Sequence, residues 1–199
     1  MDLFNQTNNI LPFDGTVEYH GRIIRPQEAN NYLKQLLEEI PWQHDEANMF
    51  GKHIVTKRKV AWYGDGNFAY SYSNATKVAL PWSNLLRELK EKVEKVAGIE
   101  FNSCLLNLYH NGEEGMAWHS DAEKALGSDP IIASLSFGAE RKFAFKHKES
   151  KQTCSVVLEH GSLLLMKEGS QINWLHRLPP TKKIKTPRVN LTFRRYLAS

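Results

Sequence analysis

The sequence predicts a mainly β chain of the α+β class, with an all-β core of sandwich or barrel type flanked by two amphipathic helices. From residue 101 onward short strand-like runs follow one another, at 104–110, 131–137, 142–147, 153–158, 162–166 and 188–196, with turns at Gly112, Gly127, Gly138 and Gly161. Upstream, two stretches repeat apolar residues at the helical period instead. Between those stretches neither period dominates, and basic residues interleave with aromatics and glycines.

In chain order, residues 1 to 25 carry little periodicity, with a turn at Pro12-Phe13-Asp14-Gly15 and a short strand at 17–20. Pro26 suits a first helical turn, and Leu33, Leu36, Leu37 and Ile40 fall at i, i+3, i+4 and i+7, so a helix ending before Pro41 should pack on a sheet. A second helix should open at Pro81 and bury Trp82, Leu85, Leu86, Leu89, Val93 and Val96, with Gly98 as its cap. Glu88 with Lys92 and Glu91 with Lys95 are spaced to pair on its solvated face. The middle segment carries Met49-Phe50-Gly51-Lys52, Lys57-Arg58-Lys59, Tyr63-Gly64-Asp65-Gly66-Asn67 and Tyr70-Ser71-Tyr72-Ser73. It reads as strands and hairpins that present rings to a stacked base, or as a plain meander with Tyr70 and Tyr72 in its core.

A chain of 199 residues fits one domain and buries enough apolar surface to fold without staples. Two cysteines, Cys104 and Cys154, make neither a disulfide framework nor a zinc cluster, and a reducing compartment is the default expectation. The first residues lack the basic flank and apolar run of a signal peptide, and no later run approaches the ~20 residues of a membrane span. A formal charge of +4 is compatible with a polyanionic partner without requiring one.

Chemistry concentrates in Trp118-His119-Ser120-Asp121, His176 and the tail Arg188-Val189-Asn190-Leu191-Thr192-Phe193-Arg194. In an extended segment residues two apart face the same way, so His119 and Asp121 can offer an imidazole nitrogen and a carboxylate oxygen to one ion. Two histidines and one carboxylate leave cis positions open on an octahedral metal, which suits non-haem iron(II), a bidentate keto acid and dioxygen; zinc is more often held tetrahedrally. Of the eight histidines, His20, His44, His53, His110, His147 and His160 read as surface or hydrogen-bonded core residues.

In the tail, Val189, Leu191 and Phe193 separate onto one face and Arg188, Asn190, Thr192 and Arg194 onto the other. A core strand hides two arginines when each finds an anion, and one dicarboxylate can serve both. Asn107 and Tyr109 repeat the pattern among leucines, as ligand contacts or as buried hydrogen bonds within the sheet.

The set Asn107-x-Tyr109, His119-x-Asp121, His176 and Arg188-x-Asn190-x-x-x-Arg194 resembles the signature of the AlkB family of Fe(II)- and 2-oxoglutarate-dependent dioxygenases, nearest to its double-stranded-DNA repair demethylases. The similarity runs from about Phe50 to Arg195. It implies a double-stranded β-helix (jelly-roll) core with an N-terminal nucleotide-recognition lid. The organisation it suggests is one dioxygenase domain over residues 1–199, helices and recognition hairpins to about 100 and catalytic core beyond. It implies His119, Asp121 and His176 as the catalytic iron ligands, with Fe(II) as cofactor and 2-oxoglutarate and O2 as cosubstrates. By the same resemblance Asn107, Tyr109 and Arg188 hold the far carboxylate of 2-oxoglutarate, while Arg194, helped by Asn190, sits near the carboxylate that chelates iron.

Phe50 would probe the duplex, Tyr72 would stack the flipped base against His119, and Tyr70 and Glu123 would read its edge. Arg58, Lys182, Lys183 and Lys185 are candidate phosphate contacts. Ala122 departs from the family's charged residues after the ligand aspartate. The expected activity is oxidative dealkylation of 1-methyladenine and 3-methylcytosine in single- or double-stranded DNA, by a monomer with no membrane partner. That monomer is expected to be cytoplasmic in a bacterium and nuclear in a eukaryote, and not secreted. The alternatives are the same chemistry on RNA or a protein side chain, or a nucleic-acid-binding module without catalysis.

Overall fold

Pro26 opens α1 (Pro26–Glu39), which stops ahead of Pro41 as the spacing predicts. Its fully buried line is Ala29, Tyr32 and Leu36, with Leu33 and Leu37 half-buried beside it. The second helix, α2 (Asn84–Ala97), begins three residues after Pro81, because the Ser83 side chain accepts the Leu86 N–H (3.3 Å) and caps it there. Trp82 packs in the approach segment, and Val96 falls outside the buried stripe, which ends at Val93. Gly98 closes the helix at φ 70°, a left-handed cap that an L side chain would strain. On the wet face Lys92 bridges Glu88 (3.8 Å) and Glu28 of α1 (2.9 Å), and Lys90 pairs with Glu94 (3.0 Å).

This computed structural model describes the backbone of residues 9–49, 52–66, 69–72 and 75–197, and their side chains except at 46–49, 52–54, 69–72 and 75–77. The strands of the first half are β1 (Thr16–Arg22), β2 (Gln43–Met49), β3 (Lys52–Gly64), β4 (Ala69–Tyr72) and β5 (Ala75–Val78). Those of the second are β6 (Ser103–Tyr109), β7 (Met116–His119), β8 (Ile132–Gly138), β9 (Arg141–His147), β10 (Thr153–Leu158), β11 (Ser162–Lys167), β12 (Trp174–Leu178) and β13 (Arg188–Arg194). They form a seven-stranded sheet in the order β1-β11-β8-β13-β6-β3-β2 and a four-stranded sheet in the order β10-β9-β12-β7, with β4 and β5 as a separate hairpin. Named neighbours pair antiparallel throughout, giving the expected two-sheet jelly-roll core. Among the described residues no helix is long and apolar enough to cross a membrane.

Strand alternation divides the molecule into layers. One face of the large sheet sends Leu106, Leu135, Val189, Leu191 and Phe193 into a core with Leu36, Leu86, Leu89 and Val93 of the helices. The other face sends Ile132, Leu164 and Met166 against Phe143, Phe145, Trp174 and Leu178 of the small sheet. Two strands that composition did not reveal, β7 and β12, complete the small sheet, and their register sets His119 opposite His176. On the outer face Trp118 holds them together, with Lys146 Nζ 4.6 Å and the Arg177 guanidinium 4.5 Å from its ring centroid.

The β8–β9 turn, beside Arg188, is pinned by a histidine. Gly138 (φ 82°) donates its N–H to His160 Nδ1 (2.8 Å), and His160 Nε2 then donates to Asn30 Oδ1 (3.1 Å). Burial, with Arg22 nearby, lowers the His160 pKa below its ordinary value, while Glu140 opposes the shift. The folded state therefore prefers the neutral ring, so this stabilisation is present above the unfolded pKa of about 6.5 and is lost as pH falls through the lower folded value. Wild type should lose more Tm between pH 7.5 and pH 5 than His160→Gln does. Equal losses by calorimetry would remove His160 from the acid response.

Candidate metal centre and carboxylate pocket

The tail strand does what its alternation predicts, and more, since all seven residues of β13 are buried. Its pairing with β6 sets Arg188 opposite Tyr109 and Asn190 opposite Asn107, which makes one polar block on the inner face of the large sheet. Arg188 Nη2 donates to Ser136 Oγ (3.0 Å) and Asn190 Oδ1 (2.7 Å), and its guanidinium lies 5.5 Å from the Tyr109 ring centroid. These partners are neutral. Burial pulls its pKa down to about 10, opposed by Tyr109 and assisted by Arg141. Arg188 Nε is buried without a hydrogen-bond partner, a donor that an incoming carboxylate would satisfy; Asn107 Oδ1 is unpartnered too, and turning that amide over would present its NH2 to the same carboxylate. Asn190 is expected from the resemblance to help Arg194, but its side chain bonds Arg188, Ser134 (2.9 Å) and Thr192 (2.8 Å).

At the other end of β13, Arg194 Nη2 donates to Asp121 Oδ1, and its Nη1 lies 3.6 Å from Glu123 Oε1. Burial disfavours the Asp121 charge, but Arg194 and then His176 and His119 outweigh it and lower its pKa. Arg194 is likewise raised against its own burial, by Asp121 first and Glu123 next. His176 Nε2 stands 3.6 Å from Asp121 Oδ2, and the His176 and His119 rings meet edge to face with centroids 4.3 Å apart. Burial drives His176 down to about 3, so at neutral pH its lone pair is unprotonated, as ligation requires. His119 Nδ1 donates to the Ala117 carbonyl (2.8 Å), which leaves the lone pair on Nε2.

Among the described residues no three His, Cys, Asp or Glu side chains are drawn into a ready-made metal cluster. The 3.6 Å between His176 Nε2 and Asp121 Oδ2 nevertheless suits a shared ion, since two ligand atoms each ~2.1 Å from a metal stand at most ~4.2 Å apart, and His119 packs against that pair. Two imidazoles, that of His176 held neutral, and a carboxylate of lowered pKa are also the donor set that suits iron(II).

One sequence argument needs correction: β7 ends at His119, and Asp121 lies in the loop beyond it. Its place is set by Arg194 and by Gln171, whose Oε1 accepts the Asp121 N–H (2.9 Å), not by strand alternation. Gln171 and Arg141 escaped sequence reading, the first because it sits on the single-turn α3 (Ser170–Asn173), the second because it resembles any surface cation. Arg141 is fully buried and donates to the carbonyls of Gly112 (3.1 Å), Glu114 (2.9 Å) and Pro179 (2.9 Å). Of the substrate candidates, Glu123 reaches the centre with its Oε2 buried and unpartnered, and Lys182, Lys183 and Lys185 stand exposed on the loop before β13. Arg58 is turned into the protein, bonded to Asp45 and Met116. Phe50 lies outside the described residues, as do the side chains of Tyr70 and Tyr72, whose backbone forms β4.

A family model described as the 2OG-Fe(II) oxygenase superfamily matches residues 16–194. The chain belongs to that superfamily. Within it the kinship is to AlkB proteins: it is 40% identical over 178 residues to human alpha-ketoglutarate-dependent dioxygenase alkB homolog 3, covering 84% of this chain and 62% of that one. It is 38% identical over 181 residues to the mouse DNA oxidative demethylase ALKBH2, covering 85% and 76%. This oxygenase chain thus spans less than two thirds of the first of these relatives. Two solved structures share the fold: OsALKBH1 (TM-score 0.61, 14% identity, 90% of this chain and 97% of that one) and a 2OG-Fe(II) oxygenase-family oxidoreductase from Burkholderia pseudomallei (TM-score 0.58, 12% identity, 91% and 84%).

Removing Arg194 from this oxygenase should expose how much the buried pair matters. Arg194→Met leaves the Asp121 carboxylate buried beside a neutral imidazole, and urea unfolding should show about 3–5 kcal/mol of lost stability. A loss under ~1 kcal/mol would mean that Asp121 is held by other groups.

Proposed function

We propose that this chain is an oxidative dealkylase that repairs N-alkylated bases in DNA, with 1-methyladenine and 3-methylcytosine as its substrates. The observation that carries the reading is the pairing, across the space between the two sheets, of two unlike ends. One is a donor set of two imidazoles and a carboxylate; the other is Arg188 and Asn107 with buried atoms unpartnered. Membership of a family described by iron(II) and 2-oxoglutarate, and kinship to proteins named DNA oxidative demethylases, support it.

His119, Asp121 and His176 would hold iron(II), which with dioxygen and 2-oxoglutarate supplies the oxidation of the N-alkyl carbon, so that succinate, CO2, an aldehyde and the restored base are the products. Arg188, Asn107 and Tyr109 bind the far carboxylate of 2-oxoglutarate, and Asn190 orients Arg188 for it. Arg194 balances the charge of Asp121, and its guanidinium would meet the carboxylate of 2-oxoglutarate nearer the metal. Phe143 and Phe145, with ring centroids 5.4 and 6.4 Å from His176, keep water from that ligand.

A methyl on the pairing edge of a base is out of reach inside the duplex, so the base must leave the stack. His119, half-buried, would form the floor beneath it and Glu123 would read its polar edge, with Tyr72 and Tyr70 sharing those two tasks as the resemblance implies. Phe50 fills the gap left behind. Lys182, Lys183 and Lys185 bind phosphates; Arg58, tied to Asp45, is the weakest of the phosphate candidates.

Iron-loaded protein given air, 2-oxoglutarate and a methylated oligonucleotide should release formaldehyde and succinate in equal amounts. Asp121→Ala should abolish turnover while oligonucleotide binding persists. Arg188→Met should raise the KM for 2-oxoglutarate at least about tenfold, the value of one charge-assisted hydrogen bond. Parallel single-stranded, double-stranded and RNA substrates separate the polymers, and no formaldehyde from any of them would overturn the proposal.

A further inference from the structure

Asp121 sits at the start of a loop whose next buried anchor is Leu126, five residues on. A cavity of about 450 Å³ lies against Asp121, Ala122, Lys124, Ser128 and Lys148, so the backbone there has open space on one flank. Two side-chain contacts tie this loop to the Gly169–Asn173 turn. At the far end the Asp129 carboxylate accepts the Gly169 N–H (2.9 and 3.1 Å). At the near end Gln171 Oε1 accepts the Asp121 N–H (2.9 Å).

Gln171 is suited to that task. It is 2% exposed, its own carbonyl is held by Lys148 Nζ (2.9 Å), and its Nε2 faces Ser170 Oγ (3.3 Å) and Met166 Sδ (3.5 Å), which fixes the amide with its oxygen toward Asp121. It also lies five residues before His176, so one turn braces the loop that carries Asp121 and leads directly into the strand that carries His176. Arg194 and His176 bracket the Asp121 carboxylate, but neither constrains its backbone.

We infer that Gln171 is a positioning residue for the metal centre, holding the Asp121 backbone so that its free carboxylate edge faces the two histidines. The inference rests on the proposed ligand set of His119, Asp121 and His176. Groups that orient a ligand from outside the coordination shell typically contribute ten- to a hundredfold in metal affinity.

The test is cobalt(II) affinity, with cobalt as an air-stable stand-in for iron, read by its visible absorption in the full chain without 2-oxoglutarate or DNA. Gln171→Met keeps the volume and removes the acceptor; Gln171→Glu keeps the acceptor. Gln171→Met should bind cobalt about 10–100-fold more weakly and Gln171→Glu close to wild type. Measured well below every Tm, where all variants are folded, lost stability alone leaves this affinity unchanged. If Gln171→Met fails to fold, Gln171→Asn, one methylene too short to reach, is read in its place. Wild-type affinity in the variant lacking the acceptor would overturn the inference, as would equal weakening in Gln171→Glu. Asp121→Ala and His176→Ala serve as references: if cobalt binding ignores both, the ligand set has failed, not the role of Gln171.

Discussion

The burial of a charged strand face between two sheets is the constraint from which the rest of this molecule follows. β13 can sit at the centre of the large sheet because Val189, Leu191 and Phe193 are covered by the helices. That placement forces Arg188, Asn190, Thr192 and Arg194 into the interior, where unpaired charge is costly. Polarity must then be delivered to meet them. Asp121 and Glu123, on the loop beyond β7, do so at one end; at the other the large sheet supplies its own, the Ser136 hydroxyl of β8 and the Asn190 amide of β13.

The two arginines are consequently in opposite states, though six residues apart on one strand. Arg194 has its anion within the protein and is held more firmly protonated than a free guanidinium despite its burial. Arg188 has a neutral shell and a lowered pKa, with Nε unpartnered. A site built this way distinguishes its two ends: an incoming dicarboxylate would gain its stronger partner at the Arg188 end, because the Arg194 end is already neutralised by Asp121. Asymmetry of this kind orients a two-ended acid where two equal arginines would not.

Much of this was legible in the sequence because it rests on periodicity. The 2-residue period of 188–194 gave the buried polar face, and the 3.6-residue stripes gave both helices. The start of α2 was missed because Ser83, a side-chain cap, competes with Pro81 for the first turn. An extended backbone at His119 and at His176 is legible, but the bounds and pairing of β7 and β12 are not, because four- and five-residue strands with cationic and aromatic outer faces show too few apolar positions to establish a period. Their pairing places His119 against His176, so the half of the centre that depends on long-range register was beyond local pattern and came instead from the resemblance. Gln171 was invisible for a similar reason: a lone amide on a single turn acquires meaning when the loop carrying Asp121 folds over it.

Gly112 shows how a correct local reading can miss the physical cause. It was expected to be a turn residue, yet what excludes a side chain there is close approach: a Cβ would stand 2.4 Å from the Thr181 carbonyl oxygen. Gly112 exchanges backbone hydrogen bonds with Ile184 (2.9 Å) and Thr181 (2.7 Å), and Arg141 gathers the carbonyls of Gly112, Glu114 and Pro179 around one buried guanidinium. A cation surrounded by carbonyls lowers its own cost of burial without neutralising its charge, which is why Arg141 depresses Arg188 nearby. The loops before β7 and before β13 are thereby locked to each other, and the strand bearing Arg188 leaves that lock already aligned. The carboxylate pocket is therefore preorganised from two directions, by register along β6 and β13 and by a clamp at the loops.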